Sequence, residues 1–148
     1  MALKTFETMS FMTTQSEIQN LLCHDVLVSR IACTLNNYLL RLTEGKKMKE
    51  LKVEDLDNVE FKPKELVRLI CQIYANMGSK EEFCKAVSQD GRSFSEELFP
   101  GAVRVLRKIN CSDLVPAIES INKKASVCLY DKLDFESFFY IVTFSFKN

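Results

Sequence analysis

The sequence has one histidine, four glycines and no net charge, its twenty Lys and Arg cancelling twenty Asp and Glu. Each scarcity closes off a class of chemistry. The lone His24 adjoins Cys23, and neighbouring side chains point apart, so the two are poorly placed to act as base and nucleophile. A surface histidine beside a buried cysteine is the expectation. Four glycines include neither a G-x-G-x-x-G fingerprint nor a P-loop, which argues against a nucleotide-binding fold. The turn Asp90-Gly91-Arg92-Ser93 lacks the second glycine of a nucleophile elbow and follows a helical stretch instead of a strand, so it reads as a polar turn. Balanced charge gives the molecule no long-range pull toward nucleic acid or an anionic membrane.

Metal spacing and a membrane run are also missing. Cys23, Cys33, Cys71, Cys84, Cys111 and Cys128 form no C-x-x-C pair, and with His24 they are too scattered for a zinc site. The acidic stretch Glu54-Asp55-Leu56-Asp57-Asn58 lacks the mid-loop glycine and terminal glutamate of a calcium loop. No catalytic, cofactor-binding or metal-ligating residue is expected. A chain of 148 residues, 47% of them apolar, can bury a core without staples, so the thiols are expected to be free and reduced, as in the cytosol or nucleus. The first residues mix charge with apolar side chains and offer no leader-like segment. The longest apolar stretch, residues 138–146, is interrupted by Thr143 and Ser145 and is about half of the ~20 residues a membrane helix needs.

What is present is helical periodicity. Leu27, Ile31, Leu35, Tyr38, Leu39 and Leu42 make one stripe of a helix over about residues 25–43, with Asp25 as its N-cap. Residues 44–62 carry no sustained period and read as a long loop, pinned by Leu51, Val53, Leu56 and Phe61. Pro63 opens the next helix, whose Leu66, Ile70, Ile73, Tyr74 and Met77 face inward and whose end falls at Gly78 as a C′ residue. Ser79 and Glu82 fit a capping box ahead of Phe83, Ala86 and Val87. Ser95 can cap a helix bearing Leu98, Phe99, Ala102, Val103, Leu106 and Ile109. From Ser112 a last helix turns Leu114, Val115, Ile118 and Ile121 inward and has Lys123 and Lys124 near its end. Leu3, Phe6, Met9, Phe11 and Met12 look like the end of a further helix.

The fold class is therefore all-α, a helical solenoid or bundle. Residues 128–148 break the pattern, since they hold five of the eleven phenylalanines. The aromatic and β-branched run 138–144 prefers strand, so an irregular aromatic tail is expected there. Two basic runs, Lys46, Lys47, Lys49 and Lys52, then Arg104, Arg107 and Lys108, have no interleaved aromatics. They read as solvated surface, not as a nucleic-acid footprint.

The residues in combination carry more than any one motif. Val28, Arg30, Ala32, Leu35, Asn36, Leu39 and Leu42 are followed by Leu51-Lys52-Val53, then by Phe61, Pro63, Leu66, Val67, Ile73 and Tyr74. Phe83-Cys84-Lys85-Ala86-Val87 leads into Asp90-Gly91-Arg92-Ser93-Phe94-Ser95, with Leu98-Phe99 and the run 103–109 behind it. This arrangement resembles the C-terminal part of the core of the ubiquitin conjugation factors of the E4 class, the U-box chain-elongation factors, and is most like their A-type branch. Departures are mild: Phe94 where tyrosine is usual, Cys33-Thr34 where Ala-Met is common, and no proline near Gly45-Lys46.

The resemblance implies an armadillo- or HEAT-like solenoid and a role in polyubiquitination, proteasomal degradation and ER-associated degradation, in cytoplasm and nucleus. It implies three partners: a ubiquitin-conjugating enzyme reached through the U-box, ubiquitinated substrates, and a hexameric segregase ATPase. No nucleic acid or membrane partner is implied. After Ala125 the sequence has no counterpart of the U-box's Asp-Pro pairs, its Leu-Pro-Ser loop or its Asp-Arg helix start. Residues 1–125 are thus expected to be core and residues 126–148 a divergent tail. The segment is expected to lack ligase activity of its own; the alternative is a non-enzymatic module that competes with longer family members for partners.

Overall fold

In the computed structural model, residues 2–44 and 62–146 are described, and they form seven α-helices and one 3-10 turn with no strand among them. The all-α reading holds. The helices are α1 (Ala2–Met12), α2 (Ser16–Leu22), α3 (Asp25–Thr43), α4 (Pro63–Met77), α5 (Glu81–Gln89), α6 (Leu98–Lys108) and α7 (Val115–Phe146), the last entered through the turn Ser112–Leu114. The expected loop with its apolar anchors, the first basic run and the acidic stretch lie at residues 45–61, outside the described residues.

α4 is the central helix. Its Val67, Ile70, Cys71, Ile73, Tyr74 and Met77 are all fully buried, and it touches α1, α3, α6 and α7. Two sides of an α4 turn are therefore apolar, as a helix surrounded by others requires. Tyr74 lies at the middle of an aromatic cluster, 5.3 Å edge-on to Phe99 and 5.8 Å from Phe83. In α3 the buried face is Val28, Ala32, Leu35, Asn36, Leu39 and Leu42. Leu27 and Tyr38, expected inward, are exposed; the true stripe is rotated toward residues one place along, and Tyr38 instead packs edge-on to Phe6 of α1 at 5.1 Å.

Most helix ends use backbone, not the side-chain caps that the sequence suggests. His24, not Asp25, is the N-cap of α3, and Asp25 takes the first turn, where its carboxylate faces the positive end of the helix. Ser79 and Glu82 form no capping box: Lys80 is the N-cap of α5 without a side-chain bond, because its N–H closes the preceding turn onto the Met77 carbonyl at 3.0 Å. Ser95 likewise gives α6 its carbonyl, which accepts from Leu98 N at 3.1 Å, while Glu97 is the N-cap. α6 ends in Asn110 at φ 61°, with Cys111 N donating to Leu106 O at 2.9 Å, the left-handed C′ closure that asparagine tolerates. Pro63 does open α4.

Gly78 is not in the left-handed region, having φ −66°. It is small for another reason. A Cβ there would lie 2.8 Å from Ile121 Cγ1, so glycine lets the end of α4 come into contact with α7. The freed Gly78 carbonyl accepts from Lys124 Nζ at 2.9 Å and from Cys84 Sγ at 3.5 Å.

The aromatic tail is helix, not strand and not irregular. α7 runs unbroken for 32 residues to Phe146, so Lys123 and Lys124 stand in its first third. A solitary strand would leave its N–H and C=O groups unpaired, whereas a helix satisfies them within itself. Extending an existing helix also avoids the cost of nucleation. The last buried residue of α7 is Ala125; beyond it the described side chains are half-buried or exposed.

Candidate functional site

The turn that carries the sequence resemblance is held from below by one asparagine. Asn36 lies on the inner face of α3 between Leu35 and Leu39 and is fully buried. Its Nδ2 donates to the Val87 carbonyl at 3.1 Å and to Asp90 Oδ2 at 3.1 Å, and its Oδ1 accepts from the Tyr74 hydroxyl. Both N–H donors and the carbonyl are thus used, which is the condition for burying an amide cheaply. Asp90 Oδ1 in turn accepts from Arg92 N at 3.2 Å, and Phe94 N donates to the Asp90 carbonyl at 3.1 Å, fixing the turn in the manner of an Asx turn. Ser93 is buried, Phe94 packs 6.1 Å from Phe99, and Gly91, Arg92 and Ser95 are exposed. Burial, then the neighbouring Cys71 and Asp90, raises the Tyr74 hydroxyl well above its ordinary range, so it remains a neutral donor. Four pieces, α3, α4, α5 and the turn, are locked by this set. It is a structural latch with no nucleophile in it.

Two clefts flank α5. One, of about 360 Å³, lies among Asn20, Leu21, Cys23, His24, Lys80 and Glu82, with Lys80 Nζ donating to Asn20 Oδ1 at 2.7 Å. Cys23 is half-buried, not buried as expected, and His24 is exposed. Partial burial first and Glu82 second push the Cys23 thiol up, while Lys80 pulls it down by less. The net result is a protonated thiol, the wrong state for a nucleophile. The second cleft, of about 400 Å³, opens between Gly78 and α5 on one side and Lys123, Lys124, Val127 and Cys128 of α7 on the other. Its walls are mainly apolar, and its one ammonium within reach of the backbone, that of Lys124, is committed to Gly78.

All six cysteines are free, with Cys71 and Cys84 buried and the other four half-buried. Burial pushes the Cys71 thiol up to about 12. Among the described residues no three His, Cys, Asp or Glu side chains converge on a common point. Of the second basic run, Arg104 reaches Glu97 at 3.6 Å and Arg107 reaches Glu119 at 3.8 Å, all on the exposed surface. Sequence reasoning did not single out Asn36 as the hub or Lys124 as a cap. For Asn36 the signal was there: an amide on an otherwise apolar stripe.

Residues 1–126 match the family described as the ubiquitin elongating factor core. The chain belongs to that family. Ubiquitin conjugation factor E4 A of Mus musculus is 49% identical over 110 residues, 74% of this chain and 10% of the mouse protein. The probable ubiquitin conjugation factor E4 of Arabidopsis thaliana is 35% identical over 115 residues, 75% of this chain and 11% of the plant protein. The E4 ubiquitin-protein ligase UFD2 of Saccharomyces cerevisiae is 41% identical over 80 residues, 54% of this chain and 8% of the yeast protein. This segment of the elongating factor core therefore spans about a tenth of the length of the curated relatives it matches. Within it, both the latch and the α4–α7 contact at Gly78 fall inside the matched residues.

Proposed function

We propose that this core segment is scaffold in ubiquitin chain elongation: it holds recognition surfaces in fixed relation and does not itself transfer ubiquitin. The observation that carries the reading is that every buried side chain of the described residues, including the Asn36 latch, falls within the matched stretch 1–126. Chain elongation by positioning needs a rigid frame and no covalent nucleophile of its own, since orienting a thioester for attack supplies the rate. A protonated Cys23 beside an exposed His24 is consistent with that division of labour. On this reading the helices are a stretch of armadillo- or HEAT-like solenoid and residues 126–148 are a divergent tail that carries on from α7. Ubiquitinated substrates and a hexameric segregase ATPase are its partners in cytoplasm and nucleus, with ER-associated degradation among its pathways. A ubiquitin-conjugating enzyme is engaged only through a U-box.

The test is reconstituted chain elongation with ubiquitin, activating enzyme, a conjugating enzyme and a mono-ubiquitinated substrate. The 148-residue chain alone adds no ubiquitin, and in excess it slows a full-length E4 factor by occupying shared partners. Ubiquitin added by the 148-residue chain itself would overturn the reading, and a full-length factor unaffected by any excess would remove the competition from it.

A further inference from the structure

Of the four glycines, Gly91 alone follows an Asp or Asn, and Asp-Gly is the dipeptide whose main chain most readily attacks its own side chain. The reason is steric: with no Cβ on the following residue, its amide nitrogen approaches the preceding carboxyl group unhindered. Gly91 is exposed and Asp90 half-buried, and a Cβ placed on Gly91 meets nothing within 4 Å. Glycine at this position therefore fills no packing need, and water reaches the turn. The latch opposes the reaction in two ways. Asn36 Nδ2 and Arg92 N hold the two oxygens of the Asp90 carboxylate at 3.1 and 3.2 Å. The backbone at Asp90 has φ −72° and ψ 91°, which sets the Gly91 nitrogen on the far side of the Cα–C bond from Cβ. Closing a five-membered ring from that nitrogen onto Cγ needs the two eclipsed, at a ψ of about −120°, outside the main allowed regions for an L residue.

We infer that Asp90 is a site of isoaspartate formation that the Asn36 latch keeps closed in the folded chain and that local opening of the turn exposes. In the opened turn the Gly91 nitrogen attacks Cγ of the neutral carboxyl group. The N–Cγ bond forms, the Cγ–OH bond breaks, and the hydroxyl leaves as water with the amide proton. The resulting succinimide takes water back. Addition at Cγ restores aspartate; addition at the former Asp90 carbonyl breaks its bond to nitrogen and gives isoaspartate, of unchanged composition, with one extra methylene in the main chain. The carbonyl that accepts from Phe94 N at 3.1 Å then belongs to a carboxylate attached directly to Cα, and Cγ, once held by Asn36, belongs to the main-chain amide. The altered turn does not relock. Its new carboxylate is the group that an isoaspartyl carboxyl methyltransferase esterifies from S-adenosylmethionine. This inference does not depend on the scaffold reading above.

Prolonged incubation of the 148-residue chain at neutral pH tests it. Isoaspartate is read by transfer of labelled methyl from S-adenosylmethionine with an isoaspartyl methyltransferase, and is located by fragmentation of the proteolytic peptide that contains Asp90. The free peptide of residues 86–95, treated alike, is the unlatched reference. The folded chain is expected to isomerise at Asp90 at least about tenfold more slowly than that peptide, since it reacts only from the opened turn. G91A, whose Cβ has room, keeps the helical circular dichroism of the parent and loses the Asp90 signal. N36L raises the rate at Asp90 about tenfold or more over the parent. The parent held in urea at the residual stability of N36L stays slower than N36L, which separates opening of the latch from global unfolding. The comparisons with the peptide and with G91A stand whether or not N36L folds. A folded parent as fast as the peptide, a methyl signal undiminished in G91A, or equal rates in N36L and the stability-matched parent would each overturn the proposal.

Discussion

Asn36 makes three hydrogen bonds to three different elements with no exposed surface, so its removal strands several partners at once. N36L leaves Asp90 Oδ2, the Val87 carbonyl and the Tyr74 hydroxyl without it, and unpaired buried groups cost about 1–3 kcal/mol each where water cannot reach them. A loss of about 3 kcal/mol in a urea titration is expected. Y74F removes only the donor to Asn36 Oδ1 and costs about 1 kcal/mol. In the N36L/Y74F double variant the two losses do not add, and a double-mutant cycle reads the coupling. Cys71 gives a second prediction, in alkali. Its folded thiol titrates near 12 against an ordinary 9.0, so above about pH 9 the unfolded chain releases a proton that the folded chain keeps. Stability from this group is complete below pH 9 and lost as pH rises from about 9 toward 12, by at most about 1.4 kcal/mol per pH unit. Urea midpoints at pH 7.5, 9 and 10.5 fall accordingly, and C71A flattens the decline, leaving the portions due to Tyr74, Cys84 and Cys23, whose burial raises them too.

The helices themselves are held by close approach as much as by apolar area. In G78A the new Cβ meets Ile121 Cγ1 at 2.8 Å, and overpacking of this kind costs about 1–3 kcal/mol. I121A alone opens a cavity, but combined with G78A the two losses partly cancel, which calorimetry on the four-member cycle measures. α7 gives the opposite case: since no described side chain beyond Ala125 is buried, truncation after Asp131 leaves the thermal midpoint within about 2 °C. The same elements show what a linear sequence discloses. α4, α5 and the start of α7 were legible because their apolar residues recur every three or four places and core helices obey that period. α2, with no buried residue, has no stripe to read. Ser79 and Ser95 do not cap because the N-cap positions fall at Lys80 and Glu97, Leu98 N bonding to the backbone carbonyl of Ser95 instead of its hydroxyl, a placement settled only in three dimensions. The 138–144 run misled because strand preference presupposes a neighbouring strand. At the candidate site the turn 90–95 stood out by resemblance, yet its anchor lies 54 residues away at Asn36, and no local pattern links them.

For the molecule as a whole, zero net charge and an uncovered aromatic helix act in the same direction. Near the isoelectric point of about 6.6 no repulsion holds copies apart, so light scattering is expected to be greatest close to that pH and to fall by pH 8.5. I141K lowers it at every pH without shifting the thermal midpoint. α7 also has a mechanical side. Its first third is gripped by α4, α5 and α6, while roughly twenty further residues, about 30 Å at ~1.5 Å per residue, reach out unsupported. The Gly78–Ile121 contact is then a fulcrum and the rest of α7 a lever arm. A tilt of about 10° at Ala125 sweeps the tip through about 5 Å, so a force applied at Phe144 bears directly on the spot where α4 and α7 come closest.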